Sequence, residues 1–376
     1  MYRKVILVVI GIFLFISLFG FDQDLDVRGK RSLRSANMYL NQKNFEKAQP
    51  LYEEVLEQNP NHLEALEKLG GIYYQVKSNY FKASELYQKA LSIIDNIYSE
   101  YENLKNTDPD EAEDFYDDYI DEYELAEKKD NLAKLKNNCW IKIYQSALKQ
   151  YKAEKYDKAL ELYQKLYDTA PDSIKTAKML GYTHLKLENK PKALEYLEKV
   201  YQAETDNPSL TSQIAGIHFN SGNYEDAAKY YKKLTKIDST DSNNFFNLGL
   251  TYMKLDKNQK SLNAYKKVIE LEPENVDALL NAFNLANKLG KTEEATNYLK
   301  KVVNLEEREN LDNLQFLCYQ LFRLKQYEEL IGYAQSWEKM DSSAKEPLQL
   351  IYQAADKLGK QELKKEYTQK LSEFKE

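Results

Sequence analysis

The sequence predicts an all-α protein of tandem helix-turn-helix units stacked into a right-handed α-solenoid, and three observations carry that reading. The first is a period: Ala159, Ala193, Ala227, Ser261 and Ala295 follow one another at intervals of 34 residues. Four residues after each stands a bulky side chain, Tyr163, Leu197, Tyr231, Tyr265 or Leu299. The second is a fixed frame around that period. Leu180-Gly181, Ile214-Ala215 and Leu248-Gly249 lie 13 and 12 residues before the small residue, and Pro171 and Pro273 lie 12 after it. The third is composition: 12 Gly and 8 Pro in 376 residues leave too few turn formers for a β-rich or Rossmann-type chain, which needs them at every corner.

The period has a packing cause. Two helices cross closely only where one carries a side chain no larger than a methyl or a hydroxyl, so the small residue marks a crossing and the bulky residue fills the groove beside it. Each period is then one helical hairpin. A hairpin cannot bury both of its faces alone, so neighbours stack into a continuous core.

These residues resemble the tetratricopeptide repeat. Read from Phe245, the eight marked places of that pattern are held by Phe245, Leu248, Gly249, Tyr252, Ser261, Tyr265, Val268 and Pro273. Earlier copies show Ala48, Tyr52 and Pro60, then Leu69, Gly70, Tyr73, Ala83, Tyr87 and Ala90. Phe283 departs from the pattern, standing where Gly or Ala is usual, and the match loosens after about residue 308. The resemblance covers residues 29 to 308 and implies a protein-interaction module rather than a particular process.

The frame divides the chain. Residues 29–91 hold a first pair of repeats, 139–308 a main array of about five, and 309–376 degenerate repeats with C-terminal capping helices. Between Ala83 and Ala159 the interval is 76 residues, one period of 34 and 42 more, which marks an insertion over 92–138. Residues 92–131 carry 15 Asp or Glu against three Lys, in a chain whose formal net charge is only −7. Ile94, Ile97, Tyr101 and Leu104 form one helical stripe, and Ala112, Tyr116, Tyr119, Ile120 and Tyr123 another. The spacing predicts two antiparallel helices, the second starting at Asp108-Pro109-Asp110-Glu111, a cap residue followed by Pro in the first turn. Asp114, Asp117, Asp118, Asp121 and Glu122 would then form either an acidic docking arm for a basic partner or a solvated extension that keeps the chain soluble.

At the N-terminus Arg3 and Lys4 precede the apolar run 5–21, and a polar, acidic stretch follows it. This is the layout of an export signal that directs the rest of the chain out of the cytoplasm. Residues 1–21 read either as a signal peptide, with Gly20 as a cleavage point, or as an uncleaved anchor that attaches the protein to the inner membrane. The expected location is periplasmic or cell-surface.

The resemblance further implies which residues line a groove, because in that family the first helix of each repeat turns one face to a ligand. At those places stand Tyr144, Tyr151 and Lys152, then Lys178, Tyr182 and Lys186, then Phe219, then Phe246 and Lys254, then Lys288. Lys175 lies on the same face. An aromatic face with recurring Lys suits an extended or helical peptide that carries apolar anchors and acidic groups.

Other chemistries lack their residues. The acidic balance opposes nucleic acid as a partner. Cys139 and Cys318 belong to no metal-binding spacing and read as buried small hydrophobes. His184 and His218 share one place in adjacent repeats and read as packing residues, and His62, after Pro60-Asn61, reads as exposed in a turn. No cofactor and no catalytic motif is indicated. The expectation is a non-catalytic scaffold or adaptor of a bacterial cell envelope, binding other proteins of an envelope complex. A glycan-binding or polysaccharide-export helper and a regulatory subunit of an envelope enzyme are the alternatives.

Overall fold

The computed structural model describes residues 25–306 and 310–374, and the apolar run 5–21 with its expected signal or anchor lies outside them. Regular structure among the described residues is helical, 19 α-helices and one π-helical turn. None of these helices is long and apolar enough to cross a membrane. The chain divides into two compact units, up to Glu188 and from Asn189.

The first unit holds α1 (Val27–Asn41), α2 (Phe45–Gln58), α3 (Leu63–Gln75), α4 (Tyr80–Thr107), α5 (Pro109–Phe115), the π-helical turn (Tyr116–Asp121), α6 (Leu125–Lys152), α7 (Tyr156–Thr169) and α8 (Ile174–Lys186). The second holds α9 (Lys190–Ala203), then four hairpins and a closing pair: α10 (Pro208–Asn220) with α11 (Tyr224–Ile237), α12 (Ser242–Lys254) with α13 (Asn258–Leu271), α14 (Val276–Lys288) with α15 (Thr292–Leu305), α16 (Leu311–Arg323) with α17 (Tyr327–Met340), and α18 (Glu346–Lys357) with α19 (Gln361–Glu373).

Local signals set these boundaries. Ser173, Asn207, Asp241, Asn275 and Asn310 each precede a first helix, and each side chain accepts a hydrogen bond from a backbone N–H of the first turn. Each first helix ends at a residue with positive φ, at positions 43, 78, 154, 188, 222, 256, 290, 325 and 359. Gly222, Gly290 and Gly359 take this conformation without cost. Lys43, Ser78, Glu154, Glu188, Asp256 and Lys325 hold it against a steric penalty of about 1 kcal/mol each.

The small residues sit where the period places them. Ala48, Ala83, Ala159, Ala193, Ala227, Ser261 and Ala295 are all fully buried. Ser261 is tolerated because its hydroxyl donates to the Gly249 carbonyl across the hairpin at 2.7 Å. Tyr52, Tyr87, Tyr163 and Tyr265, four residues after the small ones, are among the largest fully buried side chains. Cys139 and Cys318 are buried in the core as small hydrophobes, and burial pushes their thiols up to about 11 and about 12. His184 and His218 are buried as well.

The expectations for His62 and for the insertion change. His62 is buried, not exposed: its Nδ1 accepts a hydrogen bond from the Ala65 N–H at 3.3 Å and caps α3. A neutral imidazole can serve as a cap acceptor, and the Pro60-Asn61 turn brings it to that position. The repeats expected over 309–376 take the form of helical hairpins of ordinary length. The α16–α17 pair buries Leu314, Leu317, Leu330 and Ala334, and only α19 has the character of a cap, with Tyr367 its one buried residue.

The other change is the insertion. The first expected stripe lies on the end of α4, a repeat helix prolonged to 28 residues, and the second falls not on one long helix but on short α5 and the π turn, before the equally long α6. Asp108 does cap α5, accepting from Glu111 N–H at 3.2 Å. A long second helix is opposed by its own charges. Asp117 with Asp121, and Asp118 with Glu122, would face each other four residues apart, where like charges destabilise an α-helix. The backbone widens into the π turn there and reverses at Glu124, at φ 50°. Inward, Ile97, Ala112, Ile120 and Leu125 are buried, and the rings of Tyr101 and Tyr116 pack at 5.3 Å.

Candidate protein-binding face

In the first unit α6 and α8 bring an aromatic cluster together. Trp140 and Tyr144 lie four residues apart on α6, so they share a face, and their rings stack with centroids 5.1 Å apart and planes 17° apart. Tyr163 of α7 is fully buried beneath them, edge-on to Tyr144 at 5.5 Å. Tyr151, two turns along α6, meets Tyr156 edge-on at 5.4 Å. Burial, then the neighbouring phenols of Tyr156 and Tyr182, push the Tyr151 hydroxyl above its ordinary pKa. Tyr144, Tyr151 and Tyr182 are all half-buried.

At 100° per residue Lys175, Lys178 and Lys186 share the Tyr182 side of α8 and Lys152 flanks Tyr151 on α6, whereas Lys142 and Lys149 fall on the opposite side of α6. Lys175 holds its ammonium 4.2 Å from the Tyr144 ring centroid and 5.7 Å from that of Trp140, a cation–π contact that fixes both. Lys152 and Lys186 are exposed, while Lys178 is half-buried.

The remaining expected groove residues lie in the second unit and differ in character. Phe219 packs edge-on to Tyr224 at 5.4 Å, and Phe246 edge-on to the buried Tyr265 at 5.4 Å. Lys254 is exposed. Lys288 faces Asp256 of the preceding repeat at 3.3 Å, so it ties two repeats together, and with both partners well exposed the pair adds little stability.

Trp140, Tyr163, Phe316 and Tyr319 were absent from the expected set. Trp140 falls at the seam between insertion and array, and the four-residue spacing to Tyr144 was its signal. Phe316 and Tyr319 on α16 are 45% and 49% exposed, Phe316 against Phe283 at 5.5 Å and Tyr319 against Trp337 at 5.8 Å. Their repeat follows a step of 35, from Gly290 to Lys325, so a frame of 34 loses them.

On the arm, Asp114, Asp117, Asp118, Asp121 and Glu122 are all exposed. Asp118 and Glu122 help, after burial, to raise the Tyr119 phenol. A cleft of about 810 Å³ opens between α4, α6 and α7, with Phe81, Leu91, Trp140 and Leu166 on its floor and Lys89 and Lys136 at its rim. Among the described residues no group of His, Cys, Asp or Glu is placed to hold a metal ion.

Comparison with known proteins agrees with this architecture. A tetratricopeptide-repeat model matches residues 33–96, 144–208 and 178–242. A model of the middle TPR-like domain of cilia and flagella-associated protein 70 matches residues 215–335, past the point where the sequence pattern loosens. No curated protein matches the chain. Similar solved structures include a crystal structure of MamA (22% identity, 43% of this chain and 95% of that one, TM-score 0.37). A second is MamA AMB-1 (20% identity, 46% and 93%, TM-score 0.40). A third is YrrB, described as a TPR protein with an unusual peptide-binding site (18% identity, 46% and 90%, TM-score 0.39). Helix pairs, buried small residues and repeat matches together make this chain a protein of tandem tetratricopeptide repeats.

Proposed function

We propose that the face built by α6 and α8 binds segments of other proteins, and that the chain is a non-catalytic scaffold of a bacterial cell envelope. One observation carries the reading: a half-buried aromatic cluster, Trp140, Tyr144, Tyr151 and Tyr182, flanked by Lys152, Lys175, Lys178 and Lys186. Aromatic rings already held by Tyr163 and Lys175 offer apolar area at low entropic cost, and the exposed ammonium groups of Lys152 and Lys186 favour acidic segments. The partner is a peptide segment with apolar or aromatic anchors and flanking Asp or Glu.

Glycan binding is less suited to this face. A sugar stacks on an open ring face, and Lys175 occupies that of Tyr144. The envelope location rests on the sequence layout of residues 1–24, where Arg3 and Lys4 precede the apolar run.

Affinity purification from crosslinked cells, with mass spectrometry, tests the reading. Wild-type chain should recover envelope proteins, and Tyr182→Ala combined with Lys152→Glu and Lys186→Glu should lose them. Equal recovery by both proteins, or recovery of none, refutes it.

A further inference from the structure

We infer that the outer face of α1 is a docking surface for an anionic phospholipid bilayer. Over its 15 residues α1 carries Arg28, Lys30, Arg31 and Arg34 and no Asp or Glu. Gly29, Ser32 and Ala36 are buried against the core. At 100° per residue, Val27, Arg31, Arg34 and Met38 lie on the opposite side of the helix, with Lys30 beside them.

The chemistry of that stripe differs from an ordinary solvated helix face. Arg28 is taken by Glu54, to which its Nε donates, and Ser32 donates to the same carboxylate at 2.9 Å. Lys30, Arg31 and Arg34 are exposed and make no ion pair among the described residues. The two ends of the stripe are apolar and open, Val27 at 78% exposure and Met38 at 47%. An outward face of cations and apolar side chains suits the boundary between headgroups and acyl chains, where ammonium and guanidinium groups meet phosphate and the apolar ends are withdrawn from water. An acidic protein would also meet these cations, and it is the place of α1 beside the apolar run that favours a bilayer.

Position supplies the second argument. The apolar run ends at residue 21 and α1 begins at Val27. The five residues between them reach about 17 Å when extended. That keeps α1 close to the headgroup layer of any bilayer that residues 5–21 enter. The surface is independent of the α6–α8 face, so either can fail without the other.

The test uses the full chain with Met38→Trp as the reporter, read as a difference spectrum against the unsubstituted chain, which supplies the Trp140 and Trp337 background. The chain is reconstituted on phosphatidylcholine vesicles with or without phosphatidylglycerol, each containing brominated acyl chains. Blue-shifted, bromine-quenched emission from the new Trp on phosphatidylglycerol vesicles alone is expected, and it should be lost on addition of salt. Each cation at an anionic surface is worth about fivefold in occupancy. Arg31→Glu with Arg34→Glu should therefore weaken docking by at least about thirtyfold while the vesicles still retain the chain through residues 5–21. Lys30→Glu with Arg31→Glu is the second variant, and unchanged circular dichroism shows that both fold. Equal emission on both vesicle types, or quenching that survives either reversal, overturns the inference. So does a response to inositol hexakisphosphate without one to vesicles, which would make the face a site for soluble polyanions.

Discussion

Gly70 and Gly71 are neighbours in the middle of α3, and replacing each with Ala should change stability in opposite directions. A Cβ at Gly70 would lie 2.6 Å from Cε1 and 2.9 Å from Cζ of Tyr87. Tyr87 is 1% exposed and cannot swing aside. A Cβ at Gly71 meets only the Tyr87 hydroxyl, at 4.0 Å, an ordinary contact. Ala gains about 0.8–1 kcal/mol over Gly in a helix interior. Overpacking a rigid core costs about 1–3 kcal/mol. Gly71→Ala should therefore stabilise by up to about 1 kcal/mol, while Gly70→Ala destabilises by up to about 2 kcal/mol. Stacked repeats need not unfold in one step, so the assay is amide exchange across α3 and α4, which reports their local opening free energy. Tyr87→Leu removes the ring, and in that background Gly70→Ala should become stabilising. Equal signs at the two glycines, or a Gly70→Ala cost that persists without Tyr87, would refute the crossing geometry.

Further outcomes follow from single groups. Desolvation holds the His62 imidazole below its ordinary pKa of 6.5, with Glu64 opposing it, so the folded state binds the proton less readily than the unfolded one. Stability should fall as pH drops below 6.5 toward the folded value, and His62→Asn, which keeps a cap acceptor, should remove that part of the acid sensitivity in thermal melts at a series of pH values. The hydroxyls of Tyr163 and Tyr265 are buried without a hydrogen-bond partner among the described residues, so Tyr163→Phe and Tyr265→Phe should be neutral or stabilise by up to about 1–3 kcal/mol. Tyr52→Phe should instead cost about 1 kcal/mol, because its hydroxyl donates to Asn37 Oδ1 at 2.5 Å; thermal melts would check all three. At the left-handed positions, Gly222→Ala should destabilise and Lys43→Gly stabilise, each by about 1 kcal/mol, again by local exchange.

What could be read in the sequence was whatever recurs. Ala159, Ala193, Ala227, Ser261 and Ala295 share a physical task, close helix crossing, and a task repeated at a fixed interval shows as a pattern. The surplus of residues before Ala159 was visible for the same reason, and so were Tyr144, Tyr151 and Tyr182 as one face. The form of the insertion was not, because its path depends on repulsion among Asp117, Asp118, Asp121 and Glu122 and on a reversal at Glu124, neither of which is periodic. His62 was misplaced because capping by a neutral imidazole depends on tertiary burial, which composition does not show. Phe316 and Tyr319 were lost to a frame shift of one residue. Lys288 shows a further limit: its position on the face was legible, its engagement by Asp256 was not.

Photo-crosslinking from the α6–α8 face bears most directly on whether it binds protein. A photoreactive amino acid is placed at Tyr144, at Tyr182 or, as the control, at the exposed Lys158 of α7, in cells that make the protein. Adducts to another protein should form from Tyr144 and Tyr182, be absent from Lys158, and disappear when Lys152→Glu and Lys186→Glu are added. Adducts of equal yield from all three positions, or none from Tyr144 and Tyr182, would contradict the assignment of this face.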